Sequence, residues 1–187
     1  MAPKVKITKE KILNTAIELV RVNGEQALNA RTLAKELNCS TQPIFSNYAS
    51  MEELRRDVVE KANEIYRSYQ SKEIAACEYP LYKASGMAYI KFAQAEKQLF
   101  KILFMRDRTE ENLENDLADI DFILDIIQES LKISREKAIE FHVQMWIWVH
   151  GVATMIVTEY LSWDMDTISR MSTEVYMGLK TRYEGNK

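Results

Sequence analysis

The chain has 187 residues but only five glycines and three prolines, where average usage would give about 13 and about 9. Turn-rich β-sandwiches and barrels need more of both residues, and collagen-like chains need far more, so these classes are excluded. Hydrophobic residues make up 47% of the sequence, which is enough for a sizeable core in one or two domains.

The formal net charge of −3 is unevenly distributed. Residues 1–50 carry seven basic and four acidic side chains, a net charge of +3, and the rest of the chain carries −6. A basic segment before an acidic body is a first sign of nucleic-acid binding. Cys39 and Cys77 are too few for a disulfide framework. With no signal peptide and no apolar run of membrane-spanning length, we expect a cytoplasmic protein that does not enter a membrane.

Helical signals follow one another from the N-terminus. A first helix is predicted to end at Gly24, which suits a left-handed C-terminal cap. A short third helix is predicted from Thr41 to about Tyr48, and a long fourth helix continues to about Ala76. Ser50 and Glu53 form a capping box at the start of the fourth helix. The predicted N-terminal caps of the first four helices are Thr8, Asn29, Ser40 and Ser50.

The second half of the chain continues in the same way. Pro80 indicates a new start, and the charged residues 106–116 indicate a loop or a frayed helix start. No segment shows the two-residue alternation of a strand. The sequence therefore predicts an all-α fold of about nine helices. Its later helices are predicted over residues 81–95, 96–106, 117–131, 134–161 and from Asp164 or Asp166 onward.

Residues 29–48 have the length and pattern of a helix-turn-helix. Apolar residues on the first helix (Leu33, Ala34, Leu37) and Ile44 on the second are predicted to face inward, with Tyr48 as a further anchor. Thr41, Gln42, Ser46 and Asn47 are predicted to point outward, where such groups can bind base edges or phosphates. Gln42 and Asn47 each suit a two-hydrogen-bond contact with adenine. The same pattern also fits an ordinary helical hairpin.

The stretches KEKILNTAIELVRVNG and LNARTLAKELNCSTQPIFSNYASMEEL, within residues 8–54, resemble the DNA-binding head of TetR-family transcriptional regulators. WIWVHGVATM (Trp146–Met155) resembles a Trp-His-Gly motif in the bodies of some members. The resemblance implies a DNA-binding domain over residues 1–49 and an effector-binding and dimerisation domain over 50–187. Motif and resemblance together assign to DNA the residues Lys4, Lys6, Arg31, Ser40, Thr41, Gln42, Pro43, Phe45, Ser46, Asn47, Tyr48 and Ser50.

Three positions depart from the family pattern. Asn38 replaces the frequent turn glycine but tolerates the same left-handed conformation. Phe45 replaces a tyrosine whose hydroxyl commonly reaches a phosphate, and Met51 replaces a lysine at the start of the fourth helix. Each lost phosphate contact removes about 0.9 from the slope of log affinity against log salt. We therefore expect a shallow salt dependence of DNA binding.

Methionines and aromatic residues concentrate in the body, and they suit either an apolar ligand pocket or an ordinary helical core. Because the family places an effector pocket among these helices, the resemblance favours a pocket. The two histidines lack cysteine or carboxylate partners at ligand spacing, so we expect no metal and no cofactor. The predicted pocket residues are Met87, Tyr89, Phe92, Phe104, Met105, Phe141, His142, Met145, Trp146 and His150.

The helix from residue 134 is apolar nearly all round between Val143 and Val157, so every side of it needs cover. With the last helix, it resembles the pair that forms the family's dimer interface. The interface is predicted to contain Val152, Ile156, Tyr160, Ile168, Met171, Val175 and Leu179.

The sequence therefore predicts a dimeric regulator, most simply a repressor, that binds double-stranded operator DNA and is released by a small, largely apolar effector. The alternative is a helical protein-interaction module that binds no specific DNA. No phosphate loop, metal spacing or nucleophile–histidine arrangement is present, so we expect no enzymatic activity.

Overall fold

The computed structural model describes the backbone of residues 7–107 and 114–184 and the side chains of residues 7–107 and 120–183. Lys4, Lys6 and most of the predicted loop over 106–116 lie outside the described residues. The expectation of an all-α fold is confirmed, because every regular element in the described ranges is helical. The α-helices are α1 (Lys9–Asn23), α2 (Ala30–Glu36), α3 (Gln42–Asn47), α4 (Met51–Ala76), α5 (Leu81–Ala95), α6 (Lys97–Phe104), α7 (Glu114–Leu131), α8 (Arg135–Val157) and α9 (Met165–Glu184), with a 3-10 turn at Glu25–Ala27.

Side-chain caps begin most of these helices where the sequence predicts them. The Thr8 hydroxyl accepts a hydrogen bond from the backbone N–H of Lys11 at 3.2 Å. Asp164 begins α9 by accepting from the N–H of Thr167 at 2.7 Å, and this bond lowers the pKa of the carboxyl group. Asn29, Ser50 and Ser134 cap α2, α4 and α8 in the same way. Each cap satisfies one backbone donor that the first turn leaves without a partner.

Two predicted helix ends are wrong. Ser40 does not cap α3, which begins at Gln42 after Thr41 has already taken helical backbone angles (φ −69°, ψ −16°). A cap at Ser40 could accept only from the N–H of Gln42, because Pro43, the other possible donor, has none. The helix predicted to reach Leu161 ends at Val157, because Glu159 adopts a left-handed conformation with φ of 60°.

Gly24 ends α1 as predicted. Its φ is 79°, and its N–H donates to the carbonyl of Val20 at 2.8 Å. A side chain is strained at this φ, so the position favours glycine.

The chain divides into two compact units, and α4 contributes to both. Unit 1 contains the described residues up to Ser68 together with Glu96–Arg106. It therefore contains α6 as well as the first three helices. In its core, α6 packs against α1, and the ring of Phe104 meets that of Tyr66 edge-on at 5.4 Å. Unit 1 has completely buried side chains at Ile12, Ala16, Val20, Leu33, Ile44, Leu54, Ala62, Leu99 and Phe100.

Unit 2 contains Tyr69–Ala95 and the described residues from Asp107 onward. Within it α5 packs along α8, and α7 and α9 pack against α8 as well. Phe141 lies at the centre, with the rings of Tyr176 and Tyr183 edge-on at 5.4 and 5.5 Å. None of the helices in the described ranges combines the length and hydrophobicity that crossing a membrane requires.

Candidate functional site

A tight turn joins α2 to α3. Asn38 has a φ of 51°. It therefore adopts the left-handed conformation that the turn requires and that asparagine tolerates. The N–H of Cys39 donates to the carbonyl of Ala34 at 3.0 Å and closes the turn. Leu33 on α2 and Ile44 on α3 are completely buried. These contacts fix α3 as the second helix of a helix-turn-helix.

The outer face of α3 is formed by Gln42, Phe45 and Ser46, which are exposed. The Ser46 hydroxyl donates to the Gln42 carbonyl at 2.9 Å, so its hydrogen is used within the helix. Phe45 is 50% exposed, although it is aromatic. Ser40 is exposed as well, while Thr41 and Pro43 are half-buried. This face therefore offers one long amide, one aromatic ring and short hydroxyl groups.

Two residues that the sequence assigns to DNA point elsewhere. The prediction that Asn47 points outward is wrong, because its amide donates to the carbonyls of Pro43 at 2.8 Å and Ile7 at 3.4 Å. Tyr48 is only 1% exposed, so a direct DNA contact by its ring does not fit the structure. It lies one helical turn beyond Ile44 and faces the same core.

One cation near this face is already neutralised. Lys9 lies 3.1 Å from the carboxylate of Asp57 and 3.4 Å from that of Glu53, and the bond with Asp57 contributes most to raising its pKa. Sequence reasoning missed this cluster, since its members are about 45 residues apart. Arg31 and Lys35 on α2 are exposed and, within the described residues, have no ion-pair partner. These two cations are available to phosphates.

Another contact that the sequence does not reveal joins α1 to the start of α6 within unit 1. The Arg21 guanidinium binds Glu96 through two bonds, Nε to Oε2 at 2.9 Å and Nη2 to Oε1 at 3.0 Å. The side chains are 31% and 14% exposed. Paired, partly buried bonds of this kind orient the helices that carry them.

The predicted effector-pocket residues do not form one group. Phe104 packs on Phe100 inside unit 1, and Met105 is 41% exposed there. The other eight lie in unit 2, where Met87, Phe92 and Phe141 are at most 1% exposed and belong to a closed core. Two shallow depressions occur in unit 1, along α1 and beside the 3-10 turn, and neither includes a predicted pocket residue.

Two tyrosine–histidine pairs connect α5 to α8. The Tyr82 hydroxyl lies 3.2 Å from Nδ1 of His142, and the Tyr89 hydroxyl lies 2.8 Å from Nδ1 of His150. Both contacts advance in the same direction, so the two helices run parallel. Trp146 stacks on the His150 ring at a centroid distance of 5.0 Å. Burial lowers the pKa of both histidines. Tyr82 was not among the predicted pocket residues, because nothing in its local sequence points to a partner 60 positions away.

Unit 2 should lose stability as the pH falls below 6.5, the ordinary pKa of histidine. The folded state holds His142 and His150 neutral, whereas the unfolded chain binds protons at both sites. Their contribution to stability is therefore complete above 6.5 and is lost as the pH falls through the lower folded pKa. Thermal melting measured between about pH 7.5 and about pH 5.5 gives this pH dependence. Carboxyl groups titrate mostly below this range, so they contribute little to it. His142→Gln and His150→Gln should each flatten the slope; identical slopes in all three proteins would contradict the interpretation.

The predicted dimer-interface residues include buried, half-buried and exposed positions. Val152, Ile156 and Ile168 are at most 6% exposed and pack inside unit 2, so their assignment to a subunit surface is wrong for this fold. Met171, Val175 and Leu179 are half-buried, and Tyr160 is 82% exposed. On α8, the face opposite the buried Val152 and Ile156 is apolar and exposed. It consists of Ile139, Val143, Trp146 and Ile147.

Within the part of the chain that the structure describes, no group of three histidine, cysteine or acidic side chains is arranged to hold a metal ion.

Comparisons with known proteins agree with this architecture. Residues 82–175, half of the chain, match the family model described as tetracyclin repressor-like, C-terminal domain. The fold is similar to the crystal structure of a TetR-like transcriptional regulator from Rhodococcus sp. RHA1, with a TM-score of 0.66 at 10% sequence identity, covering 99% of this chain and 100% of that one. A comparison with curated proteins gives no significant match. The chain belongs to the TetR-like family of transcriptional regulators.

Proposed function

We propose that this protein is a homodimeric repressor that binds double-stranded operator DNA through α3 and leaves it when a small, largely apolar effector binds. The outer face of α3 is the observation that supports this most strongly. Gln42, Phe45 and Ser46 are exposed on a helix that a closed turn and a buried Ile44 hold in place. An exposed, rigidly held second helix is what a helix-turn-helix inserts into the major groove.

The exposed cations Arg31 and Lys35 are proposed to position the head on the phosphate backbone. They are few, and Lys9 is neutralised by Glu53 and Asp57. This is consistent with the shallow salt dependence that the head's sequence predicts.

The proposed dimer interface is the exposed apolar face of α8 (Ile139, Val143, Trp146 and Ile147). These residues follow each other at helical spacing, and their side chains are 39 to 59% exposed. A continuous apolar face of this kind is rarely left in water. On α9, Met177 is 51% exposed and a side-chain carbon built on Gly178 would meet no atom within 4 Å, so a second copy has room to approach. A two-fold dimer would present its α3 helices to half-sites about 34–36 Å apart.

The effector is proposed to bind in unit 2, beside α5 and α8. The Tyr82–His142 and Tyr89–His150 pairs would supply polar groups among apolar walls, which suits a largely apolar ligand with one or two polar atoms. Binding would shift the population toward a spacing of the heads that no longer fits consecutive half-sites. The long helix α4 is proposed to transmit this change to the heads, since it contributes to both units.

Replacing Gln42 with alanine should lower the affinity of the dimer for specific DNA about a hundredfold, because each of the two half-sites loses a two-hydrogen-bond contact with adenine worth about 1–3 kcal/mol. The measurement is a titration of purified protein against duplexes selected from a random pool and against unrelated duplexes. Nonspecific affinity and the oligomeric state should not change. Gln94→Ala is the matched control, since Gln94 is exposed on α5 in unit 2. If the wild-type protein enriches no sequence even at low salt, the chain is instead a helical protein-interaction module.

A further inference from the structure

Phe45 differs from every other large apolar residue of the helix-turn-helix. Leu33, Ile44 and Tyr48 are at most 1% exposed, whereas Phe45 is 50% exposed. Within the described residues its ring stacks on no other ring and pairs with no cation, and its backbone N–H is used inside the helix, donating to the Thr41 carbonyl at 3.2 Å. An aromatic ring therefore stands in water on the face that is proposed to meet DNA.

The neighbours of Phe45 argue against a protein-docking patch. Gln42 and Ser46 share the outer face of α3 with it and are polar and exposed. A protein interface usually surrounds such a ring with further apolar side chains. One isolated ring beside an amide instead suits a surface that offers a small apolar group among hydrogen-bonding groups.

The major groove of DNA offers such a surface. Its only apolar group on a base edge is the C5-methyl of thymine, and phenylalanine is among the side chains that contact it. Phe45 has no hydroxyl, so it cannot hydrogen-bond a phosphate or a polar base edge. The thymine methyl is the one feature of the groove that this side chain can distinguish.

Gln42 and Phe45 are three positions apart on α3, so their side chains are neighbours about 5–6 Å apart at Cβ. Successive bases on one strand are about 3.4 Å apart along the helix axis. The two side chains therefore reach the same or adjacent base pairs.

We infer that Phe45 is a specificity-determining residue that recognises the C5-methyl group of a thymine in the base pair that Gln42 addresses or in the adjacent one. The inference rests on the proposed function, since it assumes that α3 enters the major groove. It predicts a thymine at a fixed position in each half-site of the operator.

The test uses full-length protein and a duplex selected by that protein from a random pool. Each thymine is replaced in turn by deoxyuridine, which removes only the methyl group. When the critical thymine of one half-site is replaced, the affinity of the wild-type protein should fall about fourfold. This is the effect of losing the burial of one carbon. Replacement in both half-sites should lower the affinity about fifteenfold.

The same duplexes are then titrated with Phe45→Ala and Phe45→Tyr. Phe45→Ala should bind the thymine and deoxyuridine duplexes equally, because the partner of the methyl group is gone. Phe45→Tyr keeps the ring and should keep the fourfold difference. Val22→Ala is the matched control, since Val22 is 77% exposed on α1 in the same unit, and it should behave as the wild type. Because both substituted side chains are exposed, helix content and melting temperature should not change.

Two results would overturn the inference. One is a wild-type protein that binds every deoxyuridine duplex as tightly as its thymine parent. The other is a Phe45→Ala variant that retains the full loss at the same position. Failure to select any duplex would instead overturn the proposed function, so the two failures are distinct.

Discussion

Replacing Ile147 with glutamate should convert the proposed dimer into monomers and remove specific DNA binding. Ile147 is 59% exposed on the apolar face of α8, so the substitution leaves the core of unit 2 intact. A two-fold interface contains each substitution twice. Each central apolar residue that is lost costs about 2 kcal/mol of binding free energy. The free energy of dimerisation should therefore fall by about 4 kcal/mol, which raises the dissociation constant of the dimer roughly a thousandfold. Sedimentation and operator titration measure the two effects.

Phe122→Glu is the matched control for this substitution. Phe122 is 61% exposed on α7 in the same unit, but it lies outside the α8 face. It should sediment and bind DNA as the wild type does. If Ile147→Glu remained dimeric at micromolar concentration while Phe122→Glu dissociated, the interface would lie on α7 and the assignment to α8 would be rejected.

Replacing Lys91 with methionine should destabilise the protein by about 2–3 kcal/mol. The Lys91 ammonium contacts both oxygens of Glu73, at 2.6 and 2.7 Å, and Glu73 is only 7% exposed. Without its partner the carboxylate is buried and uncompensated, which typically costs about 3–5 kcal/mol. The value here should be lower, because the Lys91 side chain is 34% exposed and water screens the pair. Urea unfolding measures the change.

The double variant Glu73→Leu/Lys91→Met separates the pair from the packing around it. Removing both charges also removes the desolvation cost, so its stability should return close to that of the wild type. Lys61→Met is the control on the surface, since Lys61 and its partner Glu64 are 38% and 53% exposed. Its effect should stay below about 0.5 kcal/mol. Equal losses in Lys91→Met and Lys61→Met would show that burial of Glu73 has no energetic consequence.

The scarcity of glycine and proline excludes turn-rich classes, helical signals without strand alternation indicate the all-α class, and local capping determines where most helices begin. Thr8, Asn29, Ser134 and Asp164 satisfy donors three residues away, so a short window of sequence contains the whole interaction. The helix-turn-helix is predictable for the same reason. Its turn depends on one residue, Asn38, that tolerates a left-handed conformation.

Only the tertiary structure determined which face of each helix is buried in the core and which face is exposed. The Asn47 amide donates to the carbonyl of Pro43 on its own helix and also to that of Ile7, 40 positions away, and only the second contact depends on the tertiary structure. On α8, apolar residues occur nearly all round, so hydrophobic periodicity cannot distinguish the core side from the surface. Packing on α5, α7 and α9 buries Val152 and Ile156 and leaves Ile147 exposed.

Caps and turns are interactions between residues a few positions apart, so the sequence by itself determined the helices, their order and the helix-turn-helix. The Arg21–Glu96 pair, the two tyrosine–histidine pairs and the exposed face of α8 depend on residues 60 or more positions apart, or on which side of a helix its neighbours cover. Such contacts form only when the helices pack, because no local pattern records which distant side chain will be the partner. For that reason the tertiary structure decided the proposed dimer face and the polar groups of the proposed effector site.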